Sequence, residues 1–349
     1  MLDDKKREEI SFFKRHEFAY SFIVFLLFIA ILILFFGGKI TLVNACGDGS
    51  DYGSCSSIRP YYCDSGILIE KASVCGCNSL SDQDGETCIS QYQTEPKEIR
   101  LNYLLDEEEK IIDFTVYGGL IDYLTNESKV ISYQSGQEPA RADFEFKILN
   151  NVPQRELLLP LVIEIQNQAD NKVDQARIAI SIVQNVEYGF SNKTATFFGQ
   201  KVNYSRYPYE VLYDSQGICG EKSELLVFLL KEIGYGTALL YNQEENHETV
   251  GIKCPMEESH KKTGYCFVET TAPAIISDDG IEYVGSVFLE SEPEVIPISE
   301  GMSLPRGLLE YRDAEIMKSI RSGQIFLFKK FEFNRLNEKY GLIEEYNLA

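Results

Sequence analysis

The sequence predicts an α+β fold in which helices precede a sheet. An apolar stripe at helical spacing runs from Gly220 to Ile233, and Gly234 follows it as a helix terminator. Strand-like runs come next, at Thr237–Tyr241, Glu248–Cys254, Tyr265–Thr270 and Ile281–Phe288. Helices that are grouped before strands, rather than alternating with them, are typical of the α+β class.

The rest of the predicted core lies before this helix. Helical spacing of apolar residues covers about residues 155–186, with Pro160 near the start, where proline is tolerated. Alternating runs predict strands at Ile99–Tyr103, Ile111–Tyr117 and Ala142–Ile148. We therefore expect a small β-rich subdomain at 98–150, a core at 155–300 and a C-terminal helical extension at 301–349.

An N-terminal transmembrane helix is predicted at Phe18–Gly38. This segment has 21 residues and no charge, which is enough to cross a hydrocarbon core of about 30 Å. A cleaved signal peptide is the alternative, but its apolar region would be shorter. Lys and Arg are concentrated before the segment, so residues 1–17 are expected in the cytoplasm and the C-terminal part outside the cell membrane.

The cysteines predict disulfides in a small module that follows the membrane segment. All nine cysteines lie beyond residue 38, and six fall in the Gly/Ser/Asp-rich stretch 44–90: Cys46, Cys55, Cys63, Cys75, Cys77 and Cys88. Clustered cysteines also form zinc sites, but those favour paired C-x-x-C spacing, which is not present here. The connectivity of the six is left open.

Two further cysteines lie on consecutive strand-like runs. A hairpin there could bring Cys254 and Cys266 to the Cα separation that a disulfide needs. An odd total leaves one thiol free in an oxidised monomer. We expect that thiol to be Cys219.

The net charge of -21 limits the partners. It argues against binding to nucleic acid or to an anionic lipid surface. We expect no cofactor and no metal ion, and the bilayer is a partner only through residues 18–38.

Cys219 is the first candidate catalytic residue. It stands at the start of the strongest predicted helix, where free N–H groups and the helix dipole stabilise a thiolate. Gly217 and Gly220 flank it and allow close approach of a substrate carbonyl. The backbone N–H of Cys219 can itself stabilise an oxyanion. The alternative is a structural cysteine.

A nucleophile of this kind needs a base and an orienting group. The sequence has three histidines. His16 is expected in the cytoplasm and His260 in a solvated charged loop, which leaves His247 as the base. Glu269 interrupts a strand-like run and is the candidate orienting acid, the alternative being a solvent-facing strand position.

At these residues the chain resembles the transglutaminase-like superfamily. Tyr207–Ser223 is similar to the Pro…Gly-x-Cys segment of that family, His247 stands in the place of its strand-leading histidine, and Val268–Pro273 is similar to its Asp-x-Thr element. The resemblance covers about residues 170–290. It implies a papain-related core in which the helix bearing the cysteine packs on an antiparallel sheet.

The resemblance also implies roles for three residues. Cys219 would be the nucleophile, His247 the general base and acid, and Glu269 the orienting carboxylate. The acid is Glu rather than the commoner Asp, and the chain contains no Trp. It therefore resembles the hydrolytic or uncharacterised microbial members, here a membrane-anchored one, more than the protein-crosslinking enzymes.

The predicted function is that of a membrane-tethered cysteine hydrolase that cleaves an amide bond in a peptide or protein outside the cytoplasm. Gln216, Tyr209 and Tyr213 are candidate second donors to the oxyanion. Transamidation, in which an amine replaces water, is the alternative within catalysis. A catalytically inactive binding module on the same fold, or an adhesive role for the Cys-rich segment, are the alternatives outside it.

Overall fold

The computed structural model describes residues 44–127, 131–197, 200–281, 288–323 and 328–343. The predicted transmembrane segment Phe18–Gly38 and the stub before it lie outside these ranges. Within the ranges, none of the helices has the length and apolar composition needed to cross a bilayer. Ala45–Ala349 forms one compact unit, and its described part is a mixed α+β structure with antiparallel sheets, as the sequence predicts.

The Cys-rich segment is built from two short hairpins around a single helical turn. The hairpins pair β1 (Tyr61–Asp64) with β2 (Ile67–Glu70) and β3 (Ser81–Asp84) with β4 (Thr87–Ser90), and α1 (Ala72–Cys75) lies between them. Such short elements bury little apolar surface, so cross-links supply their order. The disulfides expected here are present, and they join Cys46 to Cys63, Cys55 to Cys75 and Cys77 to Cys88.

A long antiparallel hairpin follows, formed by β5 (Pro96–Leu105) and β6 (Glu108–Tyr117). Every second residue of β5 is buried from Ile99 to Leu105, which is the alternation seen in the sequence. The helix α2 (Gly118–Asn126) comes directly after it.

The strand predicted at Ala142–Ile148 is wrong, because these residues belong to the helix α3 (Arg141–Leu149). Phe144 and Phe146, which suggested a strand face, are both exposed, whereas Glu145 and Leu149 are buried. The buried pair is spaced four residues apart, as on one face of a helix. Asp143 fixes the start of the helix by accepting the N–H of Ala140 at 2.8 Å.

Two helices occupy the region predicted as helical at 155–186. These are α4 (Val152–Gln168) and α5 (Lys172–Gln184), and Asn171 separates them by accepting the N–H of Asp174 at the start of α5. Since α4 begins at Val152, Pro160 lies inside the helix rather than near its start.

The short strand β7 (Glu187–Tyr188) follows α5, and a hairpin of β8 (Thr194–Phe197) and β9 (Gln200–Asn203) comes next. The helix α6 (Pro208–Asp214) and the strand β10 (Gln216–Gly217) then lead into α7 (Cys219–Ile233). β10 pairs with β7 in parallel.

All six residues from Leu225 to Leu230 are fully buried, so α7 is a central core helix rather than one with a single apolar stripe.

Within the described part of the chain, the main sheet contains four strands in the order β13-β12-β11-β14, all antiparallel. The strands are β11 (Thr237–Asn242), β12 (His247–Lys253), β13 (Tyr265–Val268) and β14 (Glu294–Ser299). Two 3₁₀ turns, Met256–Glu258 and His260–Lys262, lie between β12 and β13. Most of the strand predicted at Ile281–Phe288 lies outside the described residues, and the fourth strand of the sheet is Glu294–Ser299. The chain continues into α8 (Leu309–Arg321) and α9 (Lys329–Tyr340), in the predicted helical extension.

Candidate active site

Cys219 is the first residue of α7, and a buried ion pair fixes the turn before it. The carboxylate of Glu221 accepts the N–H of Ile218 at 3.1 Å and the N–H of Arg206 at 2.7 Å. The guanidinium of Arg206 also donates to Glu221 at 3.0 Å, and both side chains are almost fully buried. The N–H of Cys219 has no acceptor within its own helix because it belongs to the first turn. Among the cysteines of the described chain, Cys219 is the one outside a disulfide.

His247 is the first residue of β12 and lies between the thiol and an acid. Its side chain is hydrogen-bonded to Cys219, and its Nε2 lies 3.0 Å from Oε2 of Glu269. Since Nε2 is engaged by the carboxylate, Nδ1 is the ring nitrogen left for the thiol. The structure therefore brings together the three residues that the sequence singles out.

Glu269 directly follows β13, and its carboxylate is almost completely enclosed, with 1% of the residue exposed. Oε1 accepts three hydrogen bonds: from the N–H of Thr270 at 3.0 Å, from the N–H of Thr271 at 2.7 Å and from Oγ1 of Thr271 at 2.6 Å. These bonds hold the carboxylate in place and leave Oε2 for His247. Glu269 is thus a buried, fixed acid and not a solvent-facing strand residue.

The interactions between His247 and Glu269 favour a charged imidazole beside a charged carboxylate. Burial alone would lower the pKa of His247, but the hydrogen bonds to Cys219 and Glu269 raise it to about 9. Burial would raise the pKa of Glu269, but the hydrogen bond and the charge of His247, together with the bonds from Thr271, hold that pKa below its usual value. An imidazolium at this position stabilises a thiolate next to it.

The candidate oxyanion donors differ in their surroundings. The hydroxyl of Tyr209 accepts the N–H of Tyr117 at 2.7 Å in the core, and the ring of Tyr213 lies under the ammonium of Lys97. Both contacts direct these tyrosines towards the β5–β6 hairpin. Oε1 of Gln216 accepts from Nη2 of Arg206 at 3.0 Å, so its amide nitrogen remains a donor, three residues before the thiol.

Several residues of the site were not found from the sequence. Tyr188 pairs with Gly217 across β7 and β10, and burial followed by the nearby charge of Cys219 raises its pKa. Oγ1 of Thr270 lies 3.4 Å from the carbonyl of Cys219 and 3.2 Å from Oγ of Ser223. Of these residues, only Thr270 could have been recognised from the sequence. It lies in the run Glu269-Thr-Thr, and an acid followed by two hydroxyl residues can form a local hydrogen-bonded turn.

The interpretation of His260 as a solvated residue is wrong. It is 5% exposed, its Nδ1 lies 2.7 Å from Oδ2 of Asp279, and its ring packs against Phe267. The intervening 3₁₀ turns fold this part of the charged loop onto the sheet instead of into solvent.

A fourth disulfide joins Cys254 to Cys266, with a Cα–Cα separation of 5.7 Å. It links the end of β12 to β13, where Cys266 pairs with Ile252. The cross-link therefore ties together the strand that begins with His247 and the strand that precedes Glu269.

No protein-family model matches this chain, and no curated protein is significantly similar to it.

Proposed function

We propose that the protein is a cysteine hydrolase that cleaves an amide bond through Cys219, His247 and Glu269. The observation that carries the proposal is the chain of hydrogen bonds from the Cys219 thiol through His247 to the buried carboxylate of Glu269. A nucleophile, a base and a group that orients the base are the parts that acyl transfer requires.

The reaction follows from these positions. The thiolate of Cys219 attacks the substrate carbonyl carbon, and the N–H of Cys219, with Gln216, stabilises the resulting oxyanion. His247 gives its proton to the leaving amine, which departs and leaves a thioester. Water then attacks the thioester while His247 accepts a proton, and the carboxylic acid leaves. Glu269 holds the imidazole in orientation and stabilises its charged form throughout.

We also propose that this chemistry takes place outside the cytoplasm, on a peptide or protein, with the chain anchored by residues 18–38. The four disulfides support an oxidising compartment. Protease added to intact cells is expected to degrade the large domain. Complete protection in intact cells, with degradation after lysis, would contradict this orientation.

The enzymatic proposal is tested with an activated acyl ester such as p-nitrophenyl acetate. The intact protein should acquire one acetyl group on Cys219 as p-nitrophenol is released, and should then lose it to water. Cys219→Ala should remain unmodified, while Lys231→Met, on the same helix but at its other end, should react normally. Acylation that persists in Cys219→Ala would refute the assignment. Transfer of the acetyl group to an added amine in preference to water would identify transamidation.

A further inference from the structure

Lys222 lies on α7 one turn after Cys219 and is completely buried, with 0% of the residue exposed. A lysine at such a depth is rare, because its ammonium must find partners to replace water. The steps of the proposed mechanism do not use this residue, so the presence of a buried lysine in the core requires another explanation.

The ammonium of Lys222 donates to three backbone carbonyls. Nζ lies 2.6 Å from the carbonyl oxygen of Val186 and 3.3 Å from those of Gln184 and Thr271. An ammonium has three donors, so all of them are used. Gln184 is the last residue of α5 and Val186 lies in the short connection to β7, whereas Thr271 belongs to the turn after Glu269.

These contacts converge on the candidate acid. Thr271, which Lys222 holds by its carbonyl, supplies both an N–H and a hydroxyl to Oε1 of Glu269. Gln184, held in the same way, donates its side-chain amide to the backbone carbonyl of Glu269 at 2.9 Å. Lys222 therefore binds two of the residues that fix the position of Glu269.

The charges of Lys222 and Glu269 also interact. Burial lowers the pKa of Lys222 to about 8, and the charge of Glu269 opposes that decrease. The charge of Glu269 also acts on two other titratable groups, His247 on β12 and Tyr188 on β7, which both interact with Cys219 on α7 as well. A buried cation on α7 favours the ionised form of the carboxylate that His247 needs.

We propose that Lys222 is a positioning residue of the candidate active site, holding the turn Glu269–Thr271 so that the carboxylate meets His247. The proposal rests on the proposed function for its catalytic meaning, but the hydrogen bond between Glu269 and His247 can be measured without any substrate. In this role Lys222 acts through Glu269 and does not touch the substrate.

The test follows the hydrogen-bonded imidazole proton of His247 by low-field proton NMR in the full-length protein, assigned by its loss in His247→Gln. Lys222→Met should abolish or shift this signal, and Lys222→Arg, which keeps the charge and the donors, should restore it at least in part. Lys231→Met, which removes an ammonium from the exposed end of the same helix, should leave it unchanged. If Lys222→Met does not fold, Lys222→Gln, which keeps amide donors without the charge, takes its place.

Alkylation of Cys219 as a function of pH provides the second readout. At mildly acidic pH the rate in Lys222→Met should fall by about tenfold to a hundredfold, because the imidazole is displaced, while rates at alkaline pH should converge. A folded Lys222→Met or Lys222→Gln protein with the wild-type imidazole signal and the wild-type pH profile would overturn the proposal. If the imidazole signal responds to Lys222 but the wild-type thiol is not acylated, the proposed function fails and the positioning role stands.

Discussion

Oε2 of Glu269 lies 3.0 Å from Nε2 of His247, while Oε1 of the same carboxylate accepts three hydrogen bonds from Thr270 and Thr271. The two oxygens thus have separate tasks, one holding the carboxylate and the other orienting the imidazole. Glu269 lies just beyond the end of β13, and its side chain reaches His247 from there.

Substitution of Glu269 should separate these tasks. In Glu269→Gln the amide oxygen can still accept from Thr271, but the amide group facing His247 donates instead of accepting and favours the wrong tautomer. We expect turnover to fall by roughly 10² to 10⁴-fold, with stability almost unchanged above about pH 9, where the imidazole of the wild type is neutral as well.

Glu269→Ala should lose stability as well, by about 1–3 kcal/mol, because buried N–H groups then have no acceptor. Turnover assays combined with chemical denaturation distinguish the two variants. Equal stability losses in both would contradict the division of tasks between the oxygens.

The charge of His247 should make stability depend on pH. Its pKa rises from 6.5 to about 9 on folding, so its contribution is fully present below about pH 6.5 and is lost as the pH rises through about 9. That increase corresponds to about 3 kcal/mol. The free energy of unfolding of the wild type should therefore fall relative to that of His247→Gln across this interval, and a constant difference between them would be inconsistent with the raised pKa.

Two disulfides of similar span offer a matched comparison. The sequence separation between the two cysteines is 12 for Cys254–Cys266 and 11 for Cys77–Cys88. If chain entropy dominates, removal of either disulfide should therefore lower the free energy of unfolding by about 3 kcal/mol. Replacement of both cysteines by Ala at 254 and 266 should also lower the reactivity of Cys219, because β12, which begins with His247, and β13, which ends just before Glu269, are then no longer cross-linked. The same change at 77 and 88 should leave that reactivity intact, as measured by alkylation of the folded protein.

His260 supplies a control for His247. His260→Ala should destabilise the protein by about 1–3 kcal/mol, since a buried ring is removed and Oδ2 of Asp279 loses its hydrogen bond to that ring, yet acylation of Cys219 should persist. His247→Ala should remain folded but show no acylation. Retained acylation in His247→Ala would exclude that residue as the base.

The sequence was most informative where local chemistry determines the structure. The glycine after Ile233, the alternation in β5 and the position of Cys219 at the start of a helix are all local properties, and the structure contains each of them. The helix at Arg141–Leu149 was predicted as a strand because contacts with residues far along the chain stabilise the helical conformation. Arg141 binds Glu248 at 2.5 Å and lies over the ring of Tyr241, which no local pattern reveals.

The same distinction applies to the candidate site. Cys219, His247 and Glu269 could be identified from residue type and chain order, because each follows or begins a recognisable element. Lys222 and Tyr188 could not, because their importance depends on which backbone segments meet around them. The burial of His260 was missed for the same reason.

The most direct test of the central claim maps the reactive thiol of the native protein. Freshly prepared protein is alkylated at mildly acidic pH without reductant, digested under denaturing conditions and analysed by mass spectrometry. We expect a single modified peptide, containing Cys219, whose rate of formation falls sharply in His247→Ala. If Cys219 is found in a disulfide, or if it reacts no faster in the native wild type than in His247→Ala, Cys219 and His247 do not form the proposed catalytic pair.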